Sequence, residues 1–130
     1  MIYEEIDSEG KLKAVIKGID DKKGTNIKIL ELSDLDHAVS DYFIICEGTS
    51  TTQVNAIAGA VEDELKKQFS DKPFRTEGLK NCEWVILDYI DIVVHIFLPE
   101  AREFYKLDLL WADANSIDAK PYIDIPLINN

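Results

Sequence analysis

The chain has 130 residues, enough for one domain with its own core and too few for two domains of typical size. Apolar residues make up 46% and charged residues 30%, a balance typical of globular rather than disordered proteins. The formal charge of −11 at pH 7 disfavours binding to phosphate backbones and to anionic membranes.

Regular structure is predicted to begin with an amphipathic helix that starts near residue 11 and stops at Gly24. Four apolar residues recur there at the spacing of one helix face: Leu12, Val15, Ile16 and Ile19. Six lysines and two aspartates lie between residues 11 and 28. This basic segment is interpreted either as the solvated face of the helix or as a patch that touches RNA beside a protein partner.

Two strands and a second helix are predicted next. Residues 27–32 form the first strand, and the continuous apolar run at 42–46 indicates a central strand covered on both faces. Ser50 can cap the following helix while Gln53 reaches back, as in a capping box. Residues 74–77 then predict a short edge strand.

Residues 84–89 and 91–98 predict two strands joined as a hairpin. With Tyr89 and Ile90 as a two-residue loop, Trp84 lies opposite His95. One face of the hairpin is then uniformly apolar and predicted to be core: Val85, Leu87, Ile92, Val94 and Ile96. The other face has an aromatic, apolar centre and a polar end: Trp84, Ile86, Asp88, Asp91, Val93 and His95. Such a face is typical of a surface that binds another protein, so an exposed surface around Trp84 is predicted.

Pro99 is predicted to open a last helix that runs through Trp111. Phe104 and Trp111 are expected in the core, and at least one of Arg102 and Tyr105 on the surface. Residues 115–130 are interpreted as an irregular tail that packs on the body or on a second copy, after a domain at 1–114. The element order predicts a single-domain α/β fold, a mixed sheet flanked by helices.

Enzyme chemistry is weighed as the alternative function. Asp88 and Asp91, with Gly48-Thr49-Ser50 before a helix, are distantly similar to a nucleotidyltransferase site that holds Mg²⁺. However, about forty residues separate the glycine from the acids, and the acids do not occupy alternate strand positions. Neither cysteine has a neighbour suited to a metal site, and their small number fits a reduced, cytoplasmic setting. We therefore expect no enzyme activity, no metal and no cofactor.

Three ordered blocks of residues resemble the ribosomal silencing factor (Iojap) family. The first is at 41–58, the second joins Glu77-Gly78 to 83–97, and the third runs from Glu100 through Arg102, Phe104-Tyr105 and Leu107 to 110–114. Departures from the family pattern are Thr52 before Gln53, Ile90 in place of the usual hairpin glycine, and a longer tail after Ala114.

The resemblance implies a fold like that of nucleotidyltransferases without a working catalytic site. It implies binding to the protein numbered fourteen on the intersubunit face of the large ribosomal subunit, so that small-subunit joining is obstructed and translation is repressed. It also implies homodimers for some members, and a ribosomal-protein contact at Trp84. The surroundings expected for Trp84 are Asp88, His95, Arg102 and Tyr105. No membrane contact and no sequence-specific nucleic-acid binding are expected.

Overall fold

The computed structural model describes residues 8–32 and 40–123. The helices are α1 (Ser8–Asp21), α2 (Thr51–Phe69), α3 (Pro99–Tyr105), α4 (Leu107–Leu110) and α5 (Lys120–Ile123). The strands are β1 (Thr25–Glu31), β2 (Tyr42–Glu47), β3 (Arg75–Glu77), β4 (Trp84–Asp88), β5 (Ile92–Phe97) and β6 (Asn115–Ile117). The elements predicted before residue 99 are confirmed, with small changes at their ends.

The six strands form one sheet in the order β3-β4-β5-β2-β1-β6. β2 and β5 run parallel at its centre, and the other neighbours are antiparallel. The single-domain mixed sheet flanked by helices is therefore confirmed. The apolar run of β2 is central and buried on both faces, because helices cover both sides of the sheet there.

One face of the sheet is sealed by α1 and α2. Gly18 of α1 lies so close to α2 that a Cβ atom on it would stand 2.9 Å from the backbone of Val61. α2 begins as predicted, since Ser50 Oγ accepts a hydrogen bond from Gln53 N. Gln53 reaches back to Thr49 N at 2.6 Å, one residue before the cap. The hairpin residues predicted as core all lie on this sealed face: Val85, Leu87, Ile92, Val94 and Ile96.

The opposite face carries a smaller apolar cluster under α3 and α4. Its buried members are Leu30, Leu32, Phe43, Ile45, Val93, Phe97 and Leu107. Trp84, Ile86 and Trp111 pack against this cluster but are only partly buried. The short helices therefore cover this face incompletely.

The predicted hairpin register is wrong by two residues. Trp84 lies opposite Phe97 and Ile86 lies opposite His95. The loop is Ile90-Asp91, because Tyr89 N donates to Ile92 O at 2.8 Å and closes the hairpin one residue later than predicted. Since strand side chains alternate with a period of two, the residues that remain in the strands keep their expected faces despite the shift. Asp91, predicted on the Trp84 face, lies in the loop instead and pairs with Lys11 of α1.

The helix predicted from Pro99 through Trp111 is divided. α3 ends at Tyr105, Lys106 adopts a left-handed conformation with φ 52°, and α4 continues in a new direction. Helical spacing across residue 106 is therefore lost. Trp111 packs on the smaller cluster as expected, but Phe104 is 75% exposed and its predicted place in the core is wrong.

The segment after Ala114 is more regular than predicted. β6 pairs antiparallel with β1, and α5 follows it. Tyr122 and Ile123 pack against the larger cluster, so this part of the tail contacts the body of the domain. The sheet thus continues past the expected boundary at residue 114. The apolar residues predicted further along, Ile125, Leu127 and Ile128, lie outside the described residues.

Three of the six lysines of the basic segment pair with carboxylates of the chain itself. Lys11 pairs with Asp91 and Asp71, Lys17 with Glu64 and Asp21, and Lys28 with Asp108. The other three are exposed: Lys13, Lys22 and Lys23. This arrangement favours the solvated-helix interpretation over a concentrated RNA-binding patch.

We expect Ile90→Gly to raise the free energy of unfolding by about 1 kcal/mol. Ile90 has φ 77°, which glycine adopts readily and a β-branched residue does not. Its side chain is 60% exposed, so little packing is lost. Urea unfolding measures the change, with Ile90→Val as the control that keeps the branched side chain. An unchanged or lower stability of Ile90→Gly would contradict the strain at this turn.

Candidate functional site

Trp84 lies in a stack of three aromatic rings. It begins β4, and its ring centroid is 4.8 Å from that of Phe97 on β5 and 4.9 Å from that of Tyr105 on α3. Phe97 is fully buried, Trp84 is half-buried, and Tyr105 is 52% exposed. The stack therefore leads from the sheet to the solvent and holds Trp84 against a rigid support.

Phe104 extends this stack along the surface. Its ring meets that of Tyr105 edge to face at 5.0 Å. We refer to Trp84, Phe104 and Tyr105 as the aromatic surface. Leu109 and Leu110 of α4 follow it in the chain and are also more than half exposed. Sequence reasoning missed Phe104 because the helical spacing that predicted its burial is broken at Lys106.

A groove of about 510 Å³ lies beside the aromatic surface. Its walls are Glu83, Leu98, Glu100, Ala101, Phe104 and Tyr105. The apolar centre is thus flanked by the exposed carboxylates of Glu83 and Glu100. An apolar side chain next to a basic one would complement such a groove.

His95 lies beneath Trp84 and is only 4% exposed, so its predicted place on the exposed surface is wrong. Its Nδ1 accepts a hydrogen bond from Trp84 Nε1 at 3.1 Å, and its ring lies 4.6 Å from that of Phe43. Its Nε2 is buried and finds no hydrogen-bond partner in the part of the chain that the structure describes. Burial lowers the pKa of His95 to about 3, against a small opposing effect of Asp108, so the ring is neutral at pH 7.

Arg102 is committed to contacts within the chain. Its guanidinium pairs with Glu47 at 3.1 Å and with Asp108 at 3.0 Å, and donates to Asn26 O at 2.7 Å. Burial opposes its charge, but the contacts with Asp108 and Glu47 raise the pKa of Arg102 above its ordinary value. Arg102 therefore fixes the α3–α4 turn to the end of β2, and its side chain is only 14% exposed.

Asp88 shares a sheet face with Trp84 but lies four residues along β4, about 13 Å away at the usual strand rise. Its Oδ1 accepts from Ile90 N at 2.8 Å and its Oδ2 is 3.6 Å from Arg75 Nη2. Of the five predicted residues, the structure thus brings together Trp84, His95 and Tyr105. Asp88 lies further along β4, and the Arg102 guanidinium is engaged by Glu47 and Asp108.

The two aspartates of the enzyme alternative face different partners. Asp88 bonds the hairpin loop, whereas Asp91 pairs with Lys11 of α1 at 3.1 Å. Gly48-Thr49-Ser50 forms the turn that caps α2, in agreement with the predicted cap at Ser50. Among residues 8–32 and 40–123, no group of three or more His, Cys, Asp or Glu side chains is placed to hold a metal ion. Over the same ranges, no helix is long and apolar enough to cross a membrane.

We expect acid to destabilise the fold through His95. Because its pKa falls from an ordinary 6.5 to about 3 on folding, the unfolded chain binds a proton that the folded chain does not. Its contribution is therefore complete above pH 6.5 and is lost as pH falls below that value, by about 2 kcal/mol at pH 5.

Urea unfolding at pH 7.5 and pH 5 of wild type and His95→Asn measures this contribution, with His37→Asn changing the chain's other histidine for comparison. His95→Asn should lose less stability on acidification than the other two proteins. Equal losses in all three would contradict the burial of a neutral His95.

The chain is similar to known proteins in both sequence and fold. The sequence profile of the family described as "Ribosomal silencing factor during starvation" matches residues 5–128. The ribosomal silencing factor of Halalkalibacterium halodurans is 35% identical over 115 residues, which cover 86% of this chain and 94% of that protein. A mouse protein named "Mitochondrial assembly of ribosomal large subunit protein 1" is 38% identical over 74 residues, 55% of this chain and 32% of its own.

A crystal structure of a Chromobacterium violaceum protein superimposes with a TM-score of 0.77 at 34% identity, covering 82% of this chain and 88% of that one. The family profile spans nearly the whole chain, and the bacterial relative is similar over almost its full length. The chain therefore belongs to the ribosomal silencing factor family.

Proposed function

We propose that this chain binds the large ribosomal subunit in the cytoplasm through ribosomal protein fourteen and sterically blocks joining of the small subunit. The observation that carries the proposal is the aromatic surface of Trp84, Phe104 and Tyr105, in a chain of this family. The name of the mouse relative refers to the large subunit, which supports the choice of subunit.

The aromatic surface has the properties of a binding hot spot. Phe104 and Tyr105 are 75% and 52% exposed, although exposing large apolar side chains to water is unfavourable. Trp84 is held by its stack on the buried Phe97 together with its hydrogen bond to His95, so little side-chain entropy remains to be lost on binding. Rigid tryptophan and tyrosine side chains supply much of the affinity at protein interfaces.

Charge favours a protein contact over direct contact with ribosomal RNA. The chain carries a formal net charge of −11 at pH 7, and Glu83 and Glu100 flank the groove beside the aromatic surface. RNA phosphates would be repelled there, whereas lysine or arginine on a ribosomal protein would be attracted. Binding to such a partner should weaken as the salt concentration rises.

A steric mechanism needs only a stable complex on the face where the subunits meet. The domain has a well-packed core and presents its aromatic surface from a rigid sheet. A bound body of this size would fill space needed by the opposing subunit. The described residues form the proposed binding surface, and the volume of the bound domain obstructs joining of the small subunit.

We expect Trp84→Ala to weaken binding to large subunits about 30- to 1,000-fold, the range that follows from loss of an interface tryptophan at about 2–4 kcal/mol. Sedimentation of purified protein with large subunits through a sucrose gradient measures binding. Light scattering during subunit mixing measures the block. In Trp84→Ala, binding to large subunits and inhibition of subunit joining should decrease together.

Phe74→Ala is the matched control. Phe74 is 72% exposed but lies at the other end of β4, where its backbone N bonds Asp88 O. The proposal predicts wild-type binding by this variant, and it is overturned if Trp84→Ala binds as well as wild type.

Self-association is measured separately, because the resemblance implies homodimers for some members. Light scattering compares the mass of wild type with that of Trp84→Glu. A drop in mass confined to this variant, with unchanged subunit binding, would assign the aromatic surface to a second copy of this chain.

A further inference from the structure

The only polar atom of the Trp84 side chain is used inside the protein. The indole has one donor, Nε1–H, and no acceptor. That donor bonds His95 Nδ1 at 3.1 Å, beneath the aromatic surface. Because the Nδ1 of the neutral ring acts as acceptor, its proton resides on Nε2.

His95 occupies a position where an apolar residue would otherwise be expected. Its neighbours across the sheet are Ile45 on β2 and Ile86 on β4, and the Phe43 ring lies 4.6 Å away. Its Nε2 is buried and has no hydrogen-bond partner among residues 8–32 and 40–123, which is unfavourable. Within these residues its side chain bonds Trp84 alone, so this bond is the physical benefit that a histidine provides there.

We infer that His95 is a positioning residue that fixes the Trp84 indole with its N–H turned inward, so that the binding partner meets Trp84 with apolar atoms only. This inference rests on the proposed function and specifies the partner's chemistry at that point. The partner would place an aliphatic or aromatic side chain on Trp84, and its basic groups would lie toward Glu83 and Glu100.

The hydrogen bond matters because Trp84 is only half-buried and is not fixed by packing alone. The rings of Phe97 and Tyr105 both contact the Trp84 ring and restrain its plane. Two orientations of the indole, related by a flip of about 180° about the Cβ–Cγ bond, share that plane and differ in the direction of the N–H. The hydrogen bond to His95 selects the inward one. A fixed orientation lowers the entropy lost on binding, whereas a free one exposes a donor that an apolar partner leaves unpaired.

Two variants of nearly equal shape isolate this effect. Asparagine at position 95 offers Oδ1 close to the place of Nδ1, whereas leucine has the same branched outline without an acceptor. His95→Asn therefore retains the hydrogen bond to Trp84, and His95→Leu removes it. Urea unfolding of both variants confirms that each is folded.

The first measurement is the ¹⁵N–¹H NMR signal of the Trp84 indole in the free protein, with Trp111 as internal reference. Trp84→Phe assigns the two signals. We expect the chemical shift of the Trp84 indole N–H proton to show hydrogen bonding in wild type and His95→Asn. In His95→Leu the same proton should shift upfield. An unchanged Trp84 signal in His95→Leu overturns the inference.

The second measurement is affinity for purified large subunits. We expect His95→Leu to bind about 3- to 10-fold more weakly than His95→Asn, as loss of one hydrogen bond implies. Equal affinity of the two folded variants overturns the positioning role. If wild type itself does not bind large subunits, the proposed function fails and the inference about the partner fails with it. The NMR result then still decides whether His95 orients Trp84.

Discussion

The pairing of β4 with β5 places Trp84 opposite Phe97, and the arrangement of the candidate site follows from this register. Phe97 is buried against the sheet and gives Trp84 a flat support at 4.8 Å. The same register brings Trp84 within reach of His95 and of Tyr105 from α3. In the predicted register Trp84 would lie opposite His95, without Phe97 directly across from it.

The two faces of the sheet are covered unequally, which explains why the aromatic surface lies where it does. α1 and α2 cross closely at Gly18 and seal one face over a large apolar cluster. Among the described residues, the helices on the other face are α3 and α4, which are short and joined at Lys106 in a left-handed conformation. Arg102 holds this turn to β2 through Glu47 and Asp108. Rigid support together with incomplete cover leaves aromatic side chains exposed but ordered.

Sequence periodicity predicted much of this arrangement and failed where the backbone departs from regular geometry. The faces of the hairpin were correct because the strand period of two survives a register shift of two residues. The register itself depended on the loop, and Ile90 adopts a positive φ that its residue type does not predict. The exposure of Phe104 was missed for a similar reason at Lys106. β6 was missed because Asn115 and Ser116 are residue types typical of turns, and its one apolar residue, Ile117, gives no periodicity.

The burial of His95 could be established only from the structure, because nothing in the sequence indicates whether a histidine within a strand is buried. The hairpin pattern and the family resemblance both predicted Trp84 as part of a surface that binds another protein. Its connection to Phe97 through stacking and to His95 through a hydrogen bond depends on distances that only folding fixes.

The aromatic surface is proposed to contact a protein of the large subunit. Site-specific photo-crosslinking tests this contact, with p-benzoylphenylalanine placed at Phe104 or, as the comparison, at Gly59. Gly59 lies exposed on α2, on the opposite side of the sheet, with open space around its Cβ position. We expect a crosslink from position 104 to ribosomal protein fourteen in large subunits, and none from position 59. Crosslinks from position 59 alone, or from position 104 only to the small subunit, would contradict it.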